Sequence, residues 1–187
     1  MVVAATAAVV LILSVSCALA AAPTVPVFGQ TFNGTLVWSD GSQLNQLFGL
    51  DQKAQVDRAT DRKGVDWYYY RHDLEKEYDV RGTKCTILPL PKSMGPFAIP
   101  ADSRLVGRTM IRGRMCDDWQ WVKPPSAVIY DLWVDPSTRP FPTPMRRGVT
   151  VEGKSSLSDY VTFTYLKSLP TDQLLPPKEI LDKCRPV

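Results

Sequence analysis

With 187 residues and a net charge of +3, the chain has room for one ordinary domain and not for several. Its 22 Lys and Arg are scattered among 19 Asp and Glu, so no basic stripe forms and nucleic acid is excluded as a partner on charge grounds. One His excludes any metal site that needs two imidazoles.

The chain opens on Met1 to Ala22, a run rich in Ala, Val, Leu and Ile with no charged side chain, ending in Ala18-Leu19-Ala20-Ala21-Ala22. This reads as an export signal over residues 1–22, with the domain proper over 23–187. The competing reading is a membrane anchor, which takes about 20 apolar residues. The short leucine-rich centre and the small-residue flank favour cleavage, although no Lys or Arg precedes the run. Cys17 leaves with the signal, and Ser14 stands where a lipid-attachment signal carries Leu. Cys85, Cys116 and Cys184 remain, which in an oxidising compartment means one bridge and one thiol left over.

The mature part reads as antiparallel β structure from end to end: short apolar or alternating runs, punctuated by Gly, Pro, Asn and Asp. Thr31 to Ser39 is the first predicted strand, turned by Asp40-Gly41. Gln43 to Leu50 and Ala54 to Thr60 follow, separated by Asp51-Gln52-Lys53. Val65 to Arg71 puts Val65, Trp67 and Tyr69 on one face and Asp66, Tyr68 and Tyr70 on the other. Tyr78 to Arg81 leads to Cys85, and Pro89 to Pro100 is an extended connection whose prolines keep it out of a sheet. Val106 to Arg112, Met115 to Val122, Ala127 to Val134, Gly148 to Glu152 and Tyr160 to Leu166 complete the strands. Ala127 to Val134 is nearly all apolar and is expected in mid-sheet with both faces covered. Pro136 to Pro144 reads as a wide turn. Asp172 to Leu175 and Pro177 to Lys183 are the two short predicted helices, the second with Pro177 at its start, Glu179 in its first turn and Lys183 in its last.

Chemistry-bearing motifs are few. His72, between Arg71 and Asp73, reads as an exposed or structural His, and no Gly-x-Ser-x-Gly elbow presents a serine, so the expectation is a protein that is not an enzyme and requires no cofactor. Asp51, Asp117 and Asp118 are carboxylates of the kind calcium prefers, yet no EF-hand loop surrounds them and a solvated pair explains Asp117-Asp118 as well. Asn33-Gly34-Thr35 fits the glycan acceptor pattern. Aromatic residues recur at alternating positions: Trp67, Tyr69, Trp119, Trp121, Tyr130, Trp133, Phe163 and Tyr165. They suit either an aromatic core or a curved sheet that holds an apolar ligand.

Several segments taken in order resemble the ependymin and ependymin-related proteins. Cys85-Thr86-Ile87-Leu88-Pro89-Leu90 and Phe97-Ala98-Ile99-Pro100-Ala101-Asp102-Ser103 are similar to that family's Cys, Pro-Leu and Ile-Pro series. Asp117-Asp118-Trp119, Val128 to Arg139, Tyr160-Val161-Thr162-Phe163, Leu169-Pro170 and Pro176-Pro177 before Cys184 follow in the same sequence, while Leu50 stands where the family has Tyr. The resemblance spans most of the mature chain. It implies a secreted or lysosomal glycoprotein, a curved antiparallel two-sheet half-barrel of the bacterial lipoprotein-carrier (LolA-like) type with short C-terminal helices, and a Cys85–Cys184 bridge. It also brings calcium, cell-matrix adhesion and homodimers as family associations. Two further disulfides of the vertebrate pattern are missing here and Cys116 is added, which would give a covalent route to a dimer if that thiol were exposed.

The resulting expectation is a secreted, non-enzymatic binding protein that holds a lipid or other hydrophobic molecule in a pocket of a curved sheet. The rival is a matrix or cell-adhesion glycoprotein with calcium-dependent association, sited outside the cell or in the lysosomal lumen like the first. Strand parity assigns Trp67, Tyr69, Tyr130, Leu132, Phe163 and Tyr165 to the ligand pocket.

Overall fold

The computed structural model describes residues 23–125 and 127–187. The predicted signal segment, Cys17 included, lies outside the described residues. Twelve strands follow one another: β1 Thr31–Trp38, β2 Gln43–Gly49, β3 Ala54–Asp61, β4 Gly64–Arg71, β5 Lys76–Arg81, β6 Lys84–Pro89, β7 Arg104–Ile111, β8 Arg114–Lys123, β9 Val128–Asp135, β10 Thr143–Val151, β11 Lys154–Tyr165 and β12 Arg185–Pro186. All ten expected strands form, but β10 begins at Thr143 rather than Gly148, inside the expected Pro136 to Pro144 turn, and β11 at Lys154 rather than Tyr160, while β6 and β12 were not expected as strands. Of the two expected helices, the first is a 3-10 turn, Thr171–Gln173, and the second the four-residue helix α1, Lys178–Leu181.

All twelve strands belong to one open sheet in the order β12-β6-β5-β4-β3-β2-β1-β11-β10-β9-β8-β7. This differs from the expected pair of layered sheets. The reason is the antiparallel ladder between β1 and β11, from Phe32 opposite Tyr165 to Trp38 opposite Ser158, which joins the meander β1 to β6 to the meander β7 to β11 with no break in hydrogen bonding. Tight turns serve the local pairings. Arg112-Gly113 and Glu152-Gly153 both have positive φ at each residue, 49° and 80° in the first and 49° and 76° in the second, the backbone that closes a two-residue hairpin without splaying its strands.

The sheet curls. In a flat sheet β6 and β7 would lie ten strand spacings apart, about 48 Å. The connection between them, residues 90–103, reaches about 50 Å only when fully stretched, and the backbone bond from Ser103 N to Pro100 O shortens it by a turn. A chain of this length has no slack to cross a flat sheet. Bulges supply the bend: the register steps between Thr35 and Leu36 where β1 meets β11, between Pro144 and Arg146 where β10 meets β9, and between Leu105 and Gly107 where β7 meets β8. Each extra residue bends its strand and sharpens the local twist.

The two faces are buried by different parts of the chain. On the first, Ala54, Val56, Tyr69, Tyr78 and Val80 pack under the C-terminal segment, through Leu169, Leu174 and the disulfide-bonded Cys184, with Leu175, Ile180 and Leu181 at the margin. On the second, Leu36, Trp119, Leu132, Val134 and Tyr160 pack with Phe28 and Ile99. These last two come from the segment before β1 and from the 90–103 connection. The apolar β9 is an inner strand as expected, but its covered side is the one with Leu132 and Val134. Ile129, Asp131 and Trp133, on its other side, stay half-buried.

Cys85 and Cys184 are bridged, their Cα atoms 4.4 Å apart and 99 residues apart in sequence, and β12 runs parallel to β6 beside the bridge. The pairing implied by the family resemblance is present. Cys116 is free but fully buried, at 0% exposure, against Ile111, Met145 and Trp133, and burial pushes its thiol pKa up. The covalent dimer through an exposed Cys116 is thereby corrected: a thiol shut inside the sheet's packing cannot reach a second chain. Closing a loop of this length restricts the unfolded chain by about 4.7 kcal/mol in the chain-entropy account. Replacing both Cys85 and Cys184 by Ser is expected to lower unfolding free energy by about 2 to 5 kcal/mol in denaturant titrations. In the same experiment Cys116 should resist alkylation until the protein unfolds, with no disulfide-linked dimer on a non-reducing gel.

Candidate functional site

Register decides where the six predicted pocket residues fall. Trp67 lies opposite Arg58, Arg58 opposite Asn45, Asn45 opposite Thr35, and Thr35 opposite Thr162. Directly opposed residues share a face, so Trp67 and Tyr69 share theirs with Thr162. Phe163 and Tyr165 pair with Gly34 and Phe32 on the reverse side. Ser158 lies opposite Trp38 and Arg147, and Arg147 opposite Leu132, which places Leu132 and Tyr130 on that reverse side as well. The single pocket assigned to all six is therefore corrected: parity was consistent within each strand, but the odd positions of β4 and the odd positions of β11 point to opposite faces.

Trp67 and Tyr69 stack at 5.9 Å between centroids, with the Arg58 guanidinium 5.4 Å from the Trp67 ring centre. They line a groove of about 560 Å³ roofed by Thr171 to Lys178. Phe163 and Tyr165 fill core instead. Phe163 meets Phe32 at 4.7 Å and Tyr160 at 5.4 Å, and Tyr165 packs on Phe141 while its hydroxyl donates to Pro142 O at 2.6 Å. Of the six, only Tyr130 and Leu132 border the cavity on the reverse face, a space of about 310 Å³ that Gln46, Phe48, Gln55, Phe97, Trp121, Arg147 and Tyr160 also line.

This cavity proves the direction of the curl. Gln55 is on β3 and Trp121 on β8, six spacings apart, or about 29 Å were the sheet flat. No two side chains reach across that distance, so the face that carries both is concave. Its rim is set by Phe97 in the 90–103 connection, held by a reciprocal amide contact: Gln30 Nε2 donates to Phe97 O at 3.1 Å and Phe97 N donates to Gln30 Oε1 at 3.0 Å. The Phe97 ring then sits 4.7 Å from Phe32 and 5.1 Å from Phe28. Trp121 and Tyr130 stack at 5.6 Å along the far wall.

The floor is polar. Asp57 is 8% exposed; Gln55 Nε2 donates to its Oδ2 at 2.8 Å, while Oδ1 is buried with no partner. Burial pushes its carboxyl up to about 6, against the pull of the Gln55 and Gln46 amides and the positive charge of Arg147. Tyr160, almost wholly buried, is pushed up to about 12 by burial, with Arg147 again opposing. Arg147, Asp57 and Tyr160 thus share one electrostatic neighbourhood. Sequence reading missed Gln30, Asp57, Phe97 and Arg147 as site residues. Phe97 alone carried a signal, an aromatic inside a proline-rich connection.

The remaining candidates do not come together. Asp117 is paired to Arg108 at 2.7 Å, Asp118 points to the other face of β8 with its carboxyl pushed up to about 6 by burial and by Asp131, and Asp51 is exposed in the turn after β2. Among the described residues no three His, Cys, Asp or Glu side chains converge as a metal cluster. His72 Nδ1 donates to Pro91 O at 2.6 Å, a structural contact. Asn33 is exposed in mid-strand on the face opposite the cavity.

A crystal structure of an uncharacterized conserved protein from Thermus thermophilus superposes with a TM-score of 0.62 at 14% sequence identity, over 86% of this chain and 92% of that one, and so shares the fold. A LolA superfamily protein from Nitrosomonas europaea aligns at a TM-score of 0.38 and 10% identity, over 81% of this chain and 92% of that one, too loose a match to argue from. No protein-family model and no curated protein matches the sequence.

Asp57 gives a pH signature. Its folded pKa lies above the 3.8 of a free carboxyl, so the folded state binds the extra proton and stability falls as pH rises from about 4 to about 6. Asp57→Asn removes that penalty and is expected to raise unfolding free energy at pH 7.5 by roughly 3 kcal/mol, at 1.36 kcal/mol per pKa unit, with little change at pH 4. Equal stability of parent and variant across that range, followed by chemical denaturation, would refute the assignment.

Proposed function

We propose that this protein is an exported, non-enzymatic carrier that holds a lipid or another hydrophobic molecule in the concave face of its sheet. The observation that carries the reading is the cavity of about 310 Å³ walled by Phe48, Phe97, Trp121, Tyr130 and Leu132, a size and lining within the range of small-molecule sites. Binding would draw on apolar area removed from water, worth about 25 cal/mol per Å². Export is supported by the apolar opening segment and by the Cys85–Cys184 bridge, since such bridges persist in oxidising compartments. The ordered motifs that resemble ependymin-related proteins support the same reading. A glycan on Asn33 would project from the face opposite the cavity and leave it open. The adhesion alternative has less behind it, because Asp51, Asp117 and Asp118 are held apart.

The test is displacement of an environment-sensitive apolar fluorophore by long-chain alcohols and acids. Tyr130→Ala and Phe97→Ala are expected to weaken fluorophore binding at least fivefold. Trp67→Ala, on the other face, should leave binding at the concave site intact while lowering stability by about 2 kcal/mol through lost packing under the C-terminal segment. A parent protein that binds none of these compounds, or a Tyr130→Ala variant that binds as the parent does, defeats the proposal.

A further inference from the structure

The wall of the concave cavity carries a charged group, Arg147, that the fold leaves without a partner among the described residues. Arg71, Arg81, Arg108, Arg114 and Arg146 are each in an ion pair with an Asp. Arg146 makes the contrast sharpest: it is one residue from Arg147, points to the opposite face, and bonds both oxygens of Asp159. Arg147 is half-buried at the cavity wall and, among the described residues, has neither a hydrogen-bond acceptor nor an ion pair. Asp57 feels its charge across the cavity but stays outside ion-pair distance, its Oδ2 occupied by Gln55. A guanidinium drawn partly out of water without a counter-charge is costly to the fold, and its planar fork suits the two oxygens of a carboxylate or phosphate.

We propose that the cavity is a site for an amphipathic anion: the Arg147 guanidinium takes a carboxylate or phosphate head group, and the apolar tail lies along Phe48, Phe97, Trp121 and Tyr130. The inference rests on the carrier reading and specifies its ligand class. Gln46 and Gln55, on the neighbouring wall, offer amide N–H donors to the same head group, and Tyr160 offers a hydroxyl. A cationic head is disfavoured, since it would face Arg147 while the free oxygen of Asp57 is buried out of its reach.

Calorimetry with laurate, dodecyl phosphate, dodecanol and dodecylamine, and with acetate and inorganic phosphate as tail-free heads, tests this on the full mature chain. Laurate or dodecyl phosphate, or both, should bind at least tenfold tighter than dodecanol, dodecylamine should bind no better than dodecanol, and the tail-free anions should be far weaker. Which of the two anions is preferred separates a fatty acid from a phospholipid head. Arg147→Gln should erase the preference over dodecanol without changing dodecanol binding, and Arg147→Lys should keep part of it. If the parent binds dodecanol as tightly as laurate and dodecyl phosphate, or if Arg147→Gln weakens all of them equally, the anion site is overturned while the hydrophobic carrier stands. Preference for dodecylamine, or acetate or phosphate binding as tightly as the long chains, overturns it too. Failure of every long chain to bind the parent removes the carrier reading itself.

Discussion

The connection between β6 and β7 is the constraint on which the rest of the molecule depends. It must pass from near one edge of an eleven-strand span to the other with only the residues from 90 to 103, and that length is met only if the sheet bends toward it. Once bent, the sheet presents β3 and β8 to one another across a hollow, and Phe97, pinned by the two-way amide contact with Gln30, packs at its rim on the rings of Phe28, Phe32, Phe48 and Phe163. Curl, cavity and aromatic cluster are thus three consequences of one short tether, aided by bulges that let β7, β10 and β11 bend without losing their ladders.

The hollow is neither a closed core nor an open surface. A core would not retain Asp57 with an oxygen unsatisfied, nor Arg147 without an acceptor, because each leaves a desolvation cost that a well-packed apolar substitution would remove. Arg147 is tolerable where another molecule completes it, and a polar orphan beside an aromatic wall is the common pattern of a binding site. The opposite face is built otherwise. There the C-terminal segment closes over Val56, Trp67, Tyr69 and Tyr78, and the bridge from Cys184 to Cys85 holds it down. Covering the convex side covalently leaves the concave side free for a ligand, and β12 beside β6 shields one sheet edge from pairing with another chain.

Much of this was legible in the sequence. Alternation, proline and glycine placed the strands, since a strand's pattern is set by its own residues and its immediate neighbours. The odd count of cysteines left once Cys17 is set aside with the expected signal segment announced one bridge and one spare thiol, and the resemblance to ependymin-related proteins pointed to the pair that is bridged. Tyr130 and Leu132 were assigned to the pocket they line. Trp67 and Tyr69 were assigned to it as well and stand on the other face; Phe163 and Tyr165 share its face but are packed as core.

What the sequence by itself determined, then, is the β character, the order of strands and turns, and the parity of side chains within each strand. What only the tertiary structure decided is which parity of one strand matches which parity of another, that the two meanders merge into a single sheet through β1 and β11, and that Arg147 comes to line a cavity with Gln46 and Gln55 and to act on the charge of Asp57. The physical reason is that side-chain alternation is a local property with a period of two, whereas the relative register of strands is set by bulges and by pairings between residues more than a hundred positions apart. One extra residue, such as Val161 in the ladder between Leu36 with Tyr160 and Thr35 with Thr162, moves everything beyond it to the other face, and nothing in the residue's own neighbourhood announces that it will.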